Sequence, residues 1–169
     1  YTYAEIIMLK KLLLLVVAGL FLASCAATNT DQGGDVDAAS SSSASGGDIT
    51  AGTQEDLIVN VGDRVFFEFD SSELTVDAQA TLDAQAAWMQ QYPDTSITIE
   101  GHADERGTRE YNLALGERRA NSARDYLMTY GISGKRISVI SYGKEKPVNP
   151  ASTPLAWSQN RRSVTVKVN

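Results

Sequence analysis

Hydrophobic residues recur at two different spacings after residue 58, and the spacing changes back and forth along the chain. In four short segments the apolar residues alternate with polar ones or form a short apolar run, as is typical of β-strands. In the first of them, Val65, Phe67 and Phe69 are expected to share the buried face. The predicted strands are 65–69, 96–100, 137–142 and 164–168.

Two longer segments between these strands repeat apolar residues every three or four positions, which is the period of an α-helix. The first can be capped by Ser72 or Thr75 and is stopped by Pro93. The second is expected to run from about Arg109 to Tyr130. The side chains expected to pack are Leu74, Ala78, Leu82, Ala86 and Met89 on the first helix and Leu115, Ala123, Leu127 and Tyr130 on the second.

The order of these elements is β-α-β-α-β-β, with one more helical turn expected near 155–158. Each element has one apolar face, and a chain of 169 residues is long enough to bury one core. The sequence therefore predicts an α+β fold, a two-layer sandwich in which helices cover one face of a mixed sheet.

The beginning of the chain is typical of an export signal. Lys10 and Lys11 precede the apolar run Leu12–Leu22, which is too short to span a bilayer, since a spanning helix needs about 20 apolar residues. We expect residues 1–24 to comprise upstream residues and a lipoprotein signal peptide, with Met8 as the start of translation.

The segment Leu22-Ala23-Ser24-Cys25 resembles a bacterial lipobox. This resemblance implies cleavage before Cys25 and diacylation of its thiol. The alternative is a secretory signal followed by a chance cysteine, but Cys25 is the only cysteine and cannot form an intramolecular disulfide. Ala26 follows it, and by resemblance to lipoprotein sorting rules a residue other than Asp predicts the periplasmic face of the outer membrane.

Residues 25–57 are rich in Ala, Ser, Gly, Asp and Thr and have no apolar period, so we expect a lipid-anchored flexible linker before a domain at 58–169. The formal net charge of the chain is −6. A negative chain is a poor partner for nucleic acid or for anionic lipid heads. Membrane attachment is therefore expected through acyl chains.

The most informative segment is 101–127, GHADERGTREYNLALGERRANSARDYL, which joins a polar turn to a helix. It places an acid, Asp104, in the turn and a base, Arg119, fifteen residues later inside the helix. Such a pair suits a ligand with an ammonium and a carboxylate on one carbon, because Arg offers a planar fork and Asp accepts from an ammonium. The alternative is a solvated surface acid and an ordinary helix salt bridge.

Asn112, Leu115 and Arg119 lie at i, i+3 and i+7, so they share one stripe of the helix. Gly116 beside them lowers the helix propensity by about 1 kcal/mol. We expect a glycine here if another part of the chain packs closely against the helix backbone.

The segment resembles the peptidoglycan-binding signature of outer-membrane protein A-like domains, N-x-x-L-x-x-x-R-A after a G-H-x-D entry. The longer strings GHADERGT and SYGKEKP resemble the peptidoglycan-associated lipoproteins (Pal) of that family. Other lipoproteins with an outer-membrane protein A-like domain are the alternative. The resemblance covers roughly residues 58–169 and implies the fold of an outer-membrane protein A C-terminal domain.

The resemblance also implies a ligand and its site. In this family an Asp and an Arg at the positions of Asp104 and Arg119 clamp the free end of meso-diaminopimelate in the peptidoglycan stem peptide. Asn112 and Leu115 fall on the same motif and are expected to line the site.

The F-x-F-D turn of the family is expected to add contacts to the stem peptide, and here it contains Phe69 and Asp70. The alternative for Asp70 is a purely structural role as the cap of the first helix.

Partners are implied in the same way. The resemblance predicts that the protein tethers the outer membrane to the cell wall as part of a Tol-Pal type system, which supports envelope integrity and cell division. TolB and also TolA are its candidate protein partners. No cofactor is expected.

A catalytic role is not expected. His102 is the only histidine, so His102, Asp104 and Glu105 make a poor zinc site, and no Ser or Cys has a second histidine as a base. Glu100 and Glu105 are expected to form a solvated edge and not a glycosidase pair. The alternative in the enzyme class is a lipid-anchored peptidoglycan hydrolase, for which these residues supply neither a metal site nor a nucleophile with its base.

Overall fold

The computed structural model describes residues 49–168, and within this range one four-stranded sheet is covered by helices. The strands are β1 (Arg64–Phe66), β2 (Ile97–His102), β3 (Ile137–Gly143) and β4 (Arg162–Lys167). Their order across the sheet is β1-β4-β2-β3. Only β2 and β3 are parallel, and β4 is antiparallel to both of its neighbours. The prediction of a mixed sheet in an α+β fold is confirmed.

Between residues 49 and 168, four α-helical segments accompany the sheet: α1 (Gln54–Asp56), α2 (Val76–Gln91), α3 (Arg109–Thr129) and α4 (Pro154–Asn160). A π-helical turn, Leu57–Val61, continues α1. Thr75 is the cap of α2, because its side chain accepts from the N–H of Ala78. No helix between residues 49 and 168 is long and apolar enough to cross a membrane.

The core lies between the sheet and the two long helices. The predicted stripe of α2 is buried at Ala78, Leu82, Ala86 and Met89, and α3 adds Leu115, Ala123 and Leu127. Tyr130 is an exception to the predicted packing, since it is 43% exposed and its hydroxyl donates to Asp83 at 2.6 Å.

The first strand is shorter than predicted. Val65 and Phe67 are buried, but Phe69 is 61% exposed, so the alternation ends before it. The next residue, Asp70, has a φ of 55° in the left-handed region, which turns the chain away from the sheet. Phe69 therefore points to the surface, and its predicted place on the buried face was wrong.

The folded domain also begins earlier than residue 58. Leu57 is fully buried, and Gln54 binds the backbone of Thr165 and Lys167 on β4. Asp56 accepts a hydrogen bond from the indole N–H of Trp88 at 2.8 Å. The end of the linker was therefore predicted too late. Gln54 and Asp56 join the domain through hydrogen bonds, and such contacts leave no apolar period in the sequence. The predicted signal peptide and Cys25 lie outside the described residues.

Candidate functional site

A cavity of about 180 Å³ opens where the ends of β1 and β2 meet the first turns of α3. All six residues that the sequence suggested for a ligand site line it, together with three that it did not suggest. The first group is Phe69, Asp70, Asp104, Asn112, Leu115 and Arg119, and the second is Arg106, Gly107 and Tyr111.

Arg119 is completely buried at the base of this cavity. Its guanidinium donates to three backbone carbonyls, from Nε to Ser71 (2.8 Å), from Nη1 to His102 (2.9 Å) and from Nη2 to Glu68 (3.1 Å). A guanidinium has five N–H donors, so one N–H remains on each Nη atom. Two parallel donors of this kind match the two oxygens of a carboxylate.

The electrostatic setting of Arg119 is unusual for an arginine. Burial lowers the pKa of Arg119 to about 10, and the positive charge of Arg161 acts in the same direction. Asp104 and Asp70 offset part of this effect. No carboxylate pairs directly with Arg119 among the described residues, so the alternative of an ordinary helix salt bridge was wrong.

Asp104 follows β2 directly and is only 4% exposed. Arg106 donates to it three times, from its backbone N–H to Oδ1 (3.1 Å), from Nε to Oδ1 (3.0 Å) and from Nη2 to Oδ2 (2.7 Å). Arg161 Nη1 lies 3.5 Å from Oδ2. Burial alone would raise the pKa of Asp104, but these bonds and charges outweigh it and lower the pKa below its ordinary value. The alternative of a solvated surface acid was wrong.

Arg106 was missed in the sequence because nothing in its spacing distinguishes it from a surface arginine. Its guanidinium carbon lies 4.2 Å from the ring centre of Phe69 and 4.2 Å from that of Trp157. The indole N–H of Trp157 donates to Glu105 at 2.8 Å, which holds the ring in place. An aromatic pair of this kind favours a cation between its faces.

Asp70 and Tyr111 also line the cavity and contact each other. The hydroxyl of Tyr111 on α3 donates to Oδ1 of Asp70. Because Thr75 caps α2, the alternative role of Asp70 as the helix cap was wrong. A left-handed backbone costs free energy in a residue other than glycine, and such residues concentrate at functional sites.

Asn112 fixes the turn that carries Asp104 and Arg106. Its side-chain amide donates to the carbonyl of Arg106 at 2.8 Å and to that of Thr108 at 3.1 Å. It is 2% exposed, so this amide mainly positions the backbone. Leu115 lies one turn further along α3 and supplies an apolar wall.

A contact between two glycines sets the distance from α3 to β2. A Cβ on Gly101 would lie 1.8 Å from the carbonyl oxygen of Gly116, and a Cβ on Gly116 would lie 2.4 Å from Ser141 Oγ. The expectation that Gly116 marks a close approach to the helix is confirmed. Asp104 follows Gly101 by three residues and Arg119 follows Gly116 by three, so this contact brings the two charges to one cavity.

His102 and the nearby carboxylates do not form a catalytic group. His102 is 2% exposed, and neither ring nitrogen has a hydrogen-bond partner within residues 49–168. Glu100 Oε2 is 3.7 Å from its Nε2, whereas Glu105 binds Trp157 and Ser152. In the same part of the chain, no three His, Cys, Asp or Glu side chains could hold a metal ion together.

A second, wider groove of about 750 Å³ lies between β1 and the beginning of α2. It contains none of the six suggested residues. Its charged groups include Arg64, which pairs with Asp63 at 2.8 Å. The smaller cavity is the stronger candidate because buried opposite charges converge there with unused donors.

Comparison with known proteins agrees with this geometry. Residues 66–161 match the model of the OmpA family. The peptidoglycan-associated lipoprotein of Rhizobium meliloti is 62% identical over 120 residues, which cover 71% of this chain and 68% of that protein. That of Pseudomonas aeruginosa is 34% identical over 163 residues, with 94% and 96% covered.

A solved structure gives the same result. The crystal structure of the peptidoglycan-associated lipoprotein from Burkholderia pseudomallei matches with a TM-score of 0.61 and 41% identity, covering 62% of this chain and 89% of that one. The fold and the match over residues 66–161 thus define an OmpA-like domain. The chain belongs to the OmpA family and, within it, to the peptidoglycan-associated lipoproteins. Membership of this family supports the prediction that it is not an enzyme.

Proposed function

We propose that this chain is an outer-membrane lipoprotein that binds peptidoglycan non-covalently. Its ligand is the meso-diaminopimelate of the stem peptide, which ends in a carbon that carries both an ammonium and a carboxylate. The names of its relatives support the association with peptidoglycan.

The observation that carries this proposal is the arrangement of charge in the cavity of about 180 Å³. Arg119 has two unused N–H groups at its base, and Asp104 supplies a carboxylate whose pKa is lowered. A ligand that carries both charges satisfies both residues at once. A simple cation or anion satisfies only one of them.

In the cell, the domain would hold the wall while acyl chains on Cys25 hold the outer membrane from its periplasmic face. Multiple acyl chains give stable anchoring, which one chain does not. We further propose that the chain acts in a Tol-Pal type system with TolB, and with TolA as a second candidate. The support for this assignment over an OmpA-like lipoprotein outside that system is the resemblance of the strings GHADERGT and SYGKEKP.

The test is cosedimentation of the purified chain with peptidoglycan sacculi, with and without competing meso-diaminopimelate. The variant Asp104→Asn keeps the shape of the side chain and removes its charge. We expect it to lose about 2–5 kcal/mol of binding free energy, because the ligand ammonium then has no charged partner.

Asp125→Asn is the matched control. Asp125 also pairs with an arginine, Arg124 at 2.9 Å, but its side chain is 64% exposed and lies outside the cavity. The control should sediment like the wild type, and melting curves should show that both variants are folded. Equal sedimentation of Asp104→Asn and wild type would place the ligand elsewhere.

A further inference from the structure

The carboxylate of Asp104 is already surrounded by two arginines, and Arg106 takes three of its acceptor positions. A carboxylate offers about four such positions. Oδ1 accepts from the backbone N–H and from Nε of Arg106, and Oδ2 accepts from Nη2 of Arg106 and lies 3.5 Å from Arg161 Nη1. An ammonium that binds Asp104 with more than one hydrogen bond must therefore compete with Arg106 for these oxygens.

The two arginines differ in how firmly they are held. Arg161 has a side chain that is 13% exposed, and its Nε donates to the carbonyl of Phe67 at 2.9 Å. Arg106 has a side chain that is 35% exposed, and its guanidinium makes its hydrogen bonds to Asp104 alone among the described residues. Arg106 is the group that can exchange.

The environment of Arg106 also suits an exchange. Its guanidinium lies between the rings of Phe69 and Trp157, at 4.2 Å from each. Phe69 is 61% exposed, so the guanidinium stands at the solvent side of the cavity and can move into water without crossing the core. Aromatic faces would hold a ligand cation as readily as they hold a guanidinium.

We propose that the Arg106 side chain is an exchangeable counter-ion that occupies the ammonium subsite of Asp104 and leaves when the ligand ammonium enters. This inference rests on the proposed function and adds a specificity-determining residue to it. A neutral end group that displaced Arg106 would remove one of the two positive charges beside the buried carboxylate of Asp104, which costs free energy. The exchange therefore selects cationic ligands.

The first test is calorimetric titration of the full chain with meso-diaminopimelate. Arg106→Gln keeps the backbone N–H and removes the competing charge. We expect its dissociation constant to fall at least about tenfold, since a ligand no longer has to displace an internal competitor. Arg109→Gln is the control, because Arg109 is 74% exposed and pairs with Glu145 outside the cavity, and it should bind like the wild type.

The second test follows the movement itself. The variant Trp88→Phe leaves Trp157 as the only tryptophan, and its emission should change when the ligand removes the guanidinium from its ring. Adding Arg106→Gln should abolish that change. A melting curve of each variant shows whether the fold is retained.

The outcomes separate the two proposals. If the wild type binds meso-diaminopimelate but Arg106→Gln binds equally or more weakly, Arg106 is a fixed wall and only the exchange is overturned. An unchanged Trp157 emission at saturating ligand overturns it as well. If the wild type does not bind meso-diaminopimelate at all, the proposed function fails and the exchange fails with it.

Discussion

Arg119 and Asp104 could be found in the sequence because their motif is distinctive, but their surroundings could not. Charged residues are rarely fully buried, and local spacing does not show which carbonyls a guanidinium will reach. The bonds from Arg119 to Ser71 and Glu68 join positions about 50 residues apart. Arg106 escaped notice for the same reason, because its partners Phe69 and Trp157 come from distant segments.

His102 leads to a prediction on pH. Burial lowers the pKa of His102 to about 4, with further contributions from Arg162 and Lys146, whereas the unfolded chain has the ordinary value of 6.5. The unfolded state therefore takes up a proton between these values and the folded state does not. Stability is complete above pH 6.5 and falls by about 3 kcal/mol as the pH drops to 4, at about 1.4 kcal/mol per pH unit.

Urea unfolding between pH 7 and pH 4 measures this effect. The variant His102→Phe should show a much flatter curve in the same window. Asp104 contributes little in this window, because a lowered carboxyl pKa reduces stability mainly as the pH falls below its unfolded value of 3.8. An equally steep curve for His102→Phe would show that other groups cause the loss.

Among the secondary-structure elements, α3 and β2 determine the site through their glycine contact. The sequence predicted that Gly116 marks a close approach, since glycine inside a helix is otherwise unfavourable. It did not show that Gly101 is the residue that Gly116 contacts. The two glycines are fifteen residues apart, and the sequence does not show which residue of the strand faces which residue of the helix. The first strand was predicted too long for a similar reason. Apolar and polar residues alternate as far as Phe69, but the strand ends at Phe66 and the backbone turns at Asp70.

The variant Gly116→Ala tests this contact. Alanine would raise the helix propensity by about 1 kcal/mol, but its Cβ would lie 2.4 Å from Ser141 Oγ and 2.9 Å from the Gly101 carbonyl oxygen. We expect a net loss of about 1–3 kcal/mol in the free energy of unfolding and weaker ligand binding, because α3 must shift. Gly134→Ala is the control, since its Cβ would meet only the flexible end of Met128 at 3.4 Å. A variant Gly116→Ala as stable as the wild type would contradict the close contact.

For the chain as a whole, the element order was predictable because periodicity and capping residues agree along the sequence. The sheet order β1-β4-β2-β3 was not, because strand pairing depends on contacts distant in sequence. The start of the domain was placed too late for a related reason, since Gln54 and Asp56 are polar and join the fold through hydrogen bonds.

The proposed tether predicts the behaviour of Cys25→Ser. No other cysteine can receive acyl chains, so this variant should leave the outer membrane and appear in the soluble or inner-membrane fraction. Its purified form should still bind sacculi, because the domain is unchanged. Fractionation like the wild type would contradict the lipid anchor.

The most direct measurement is a titration of the chain with three ligands that differ only in their end groups. Meso-diaminopimelate carries both charges on one carbon, pimelate carries only the carboxylates, and cadaverine carries only the ammonium groups. If Arg119 and Asp104 bind the two charges together, meso-diaminopimelate should bind at least about a hundredfold more tightly than either analogue, because each analogue can bind only one of the two residues. Equal binding of pimelate or cadaverine would contradict recognition of both charges by this cavity.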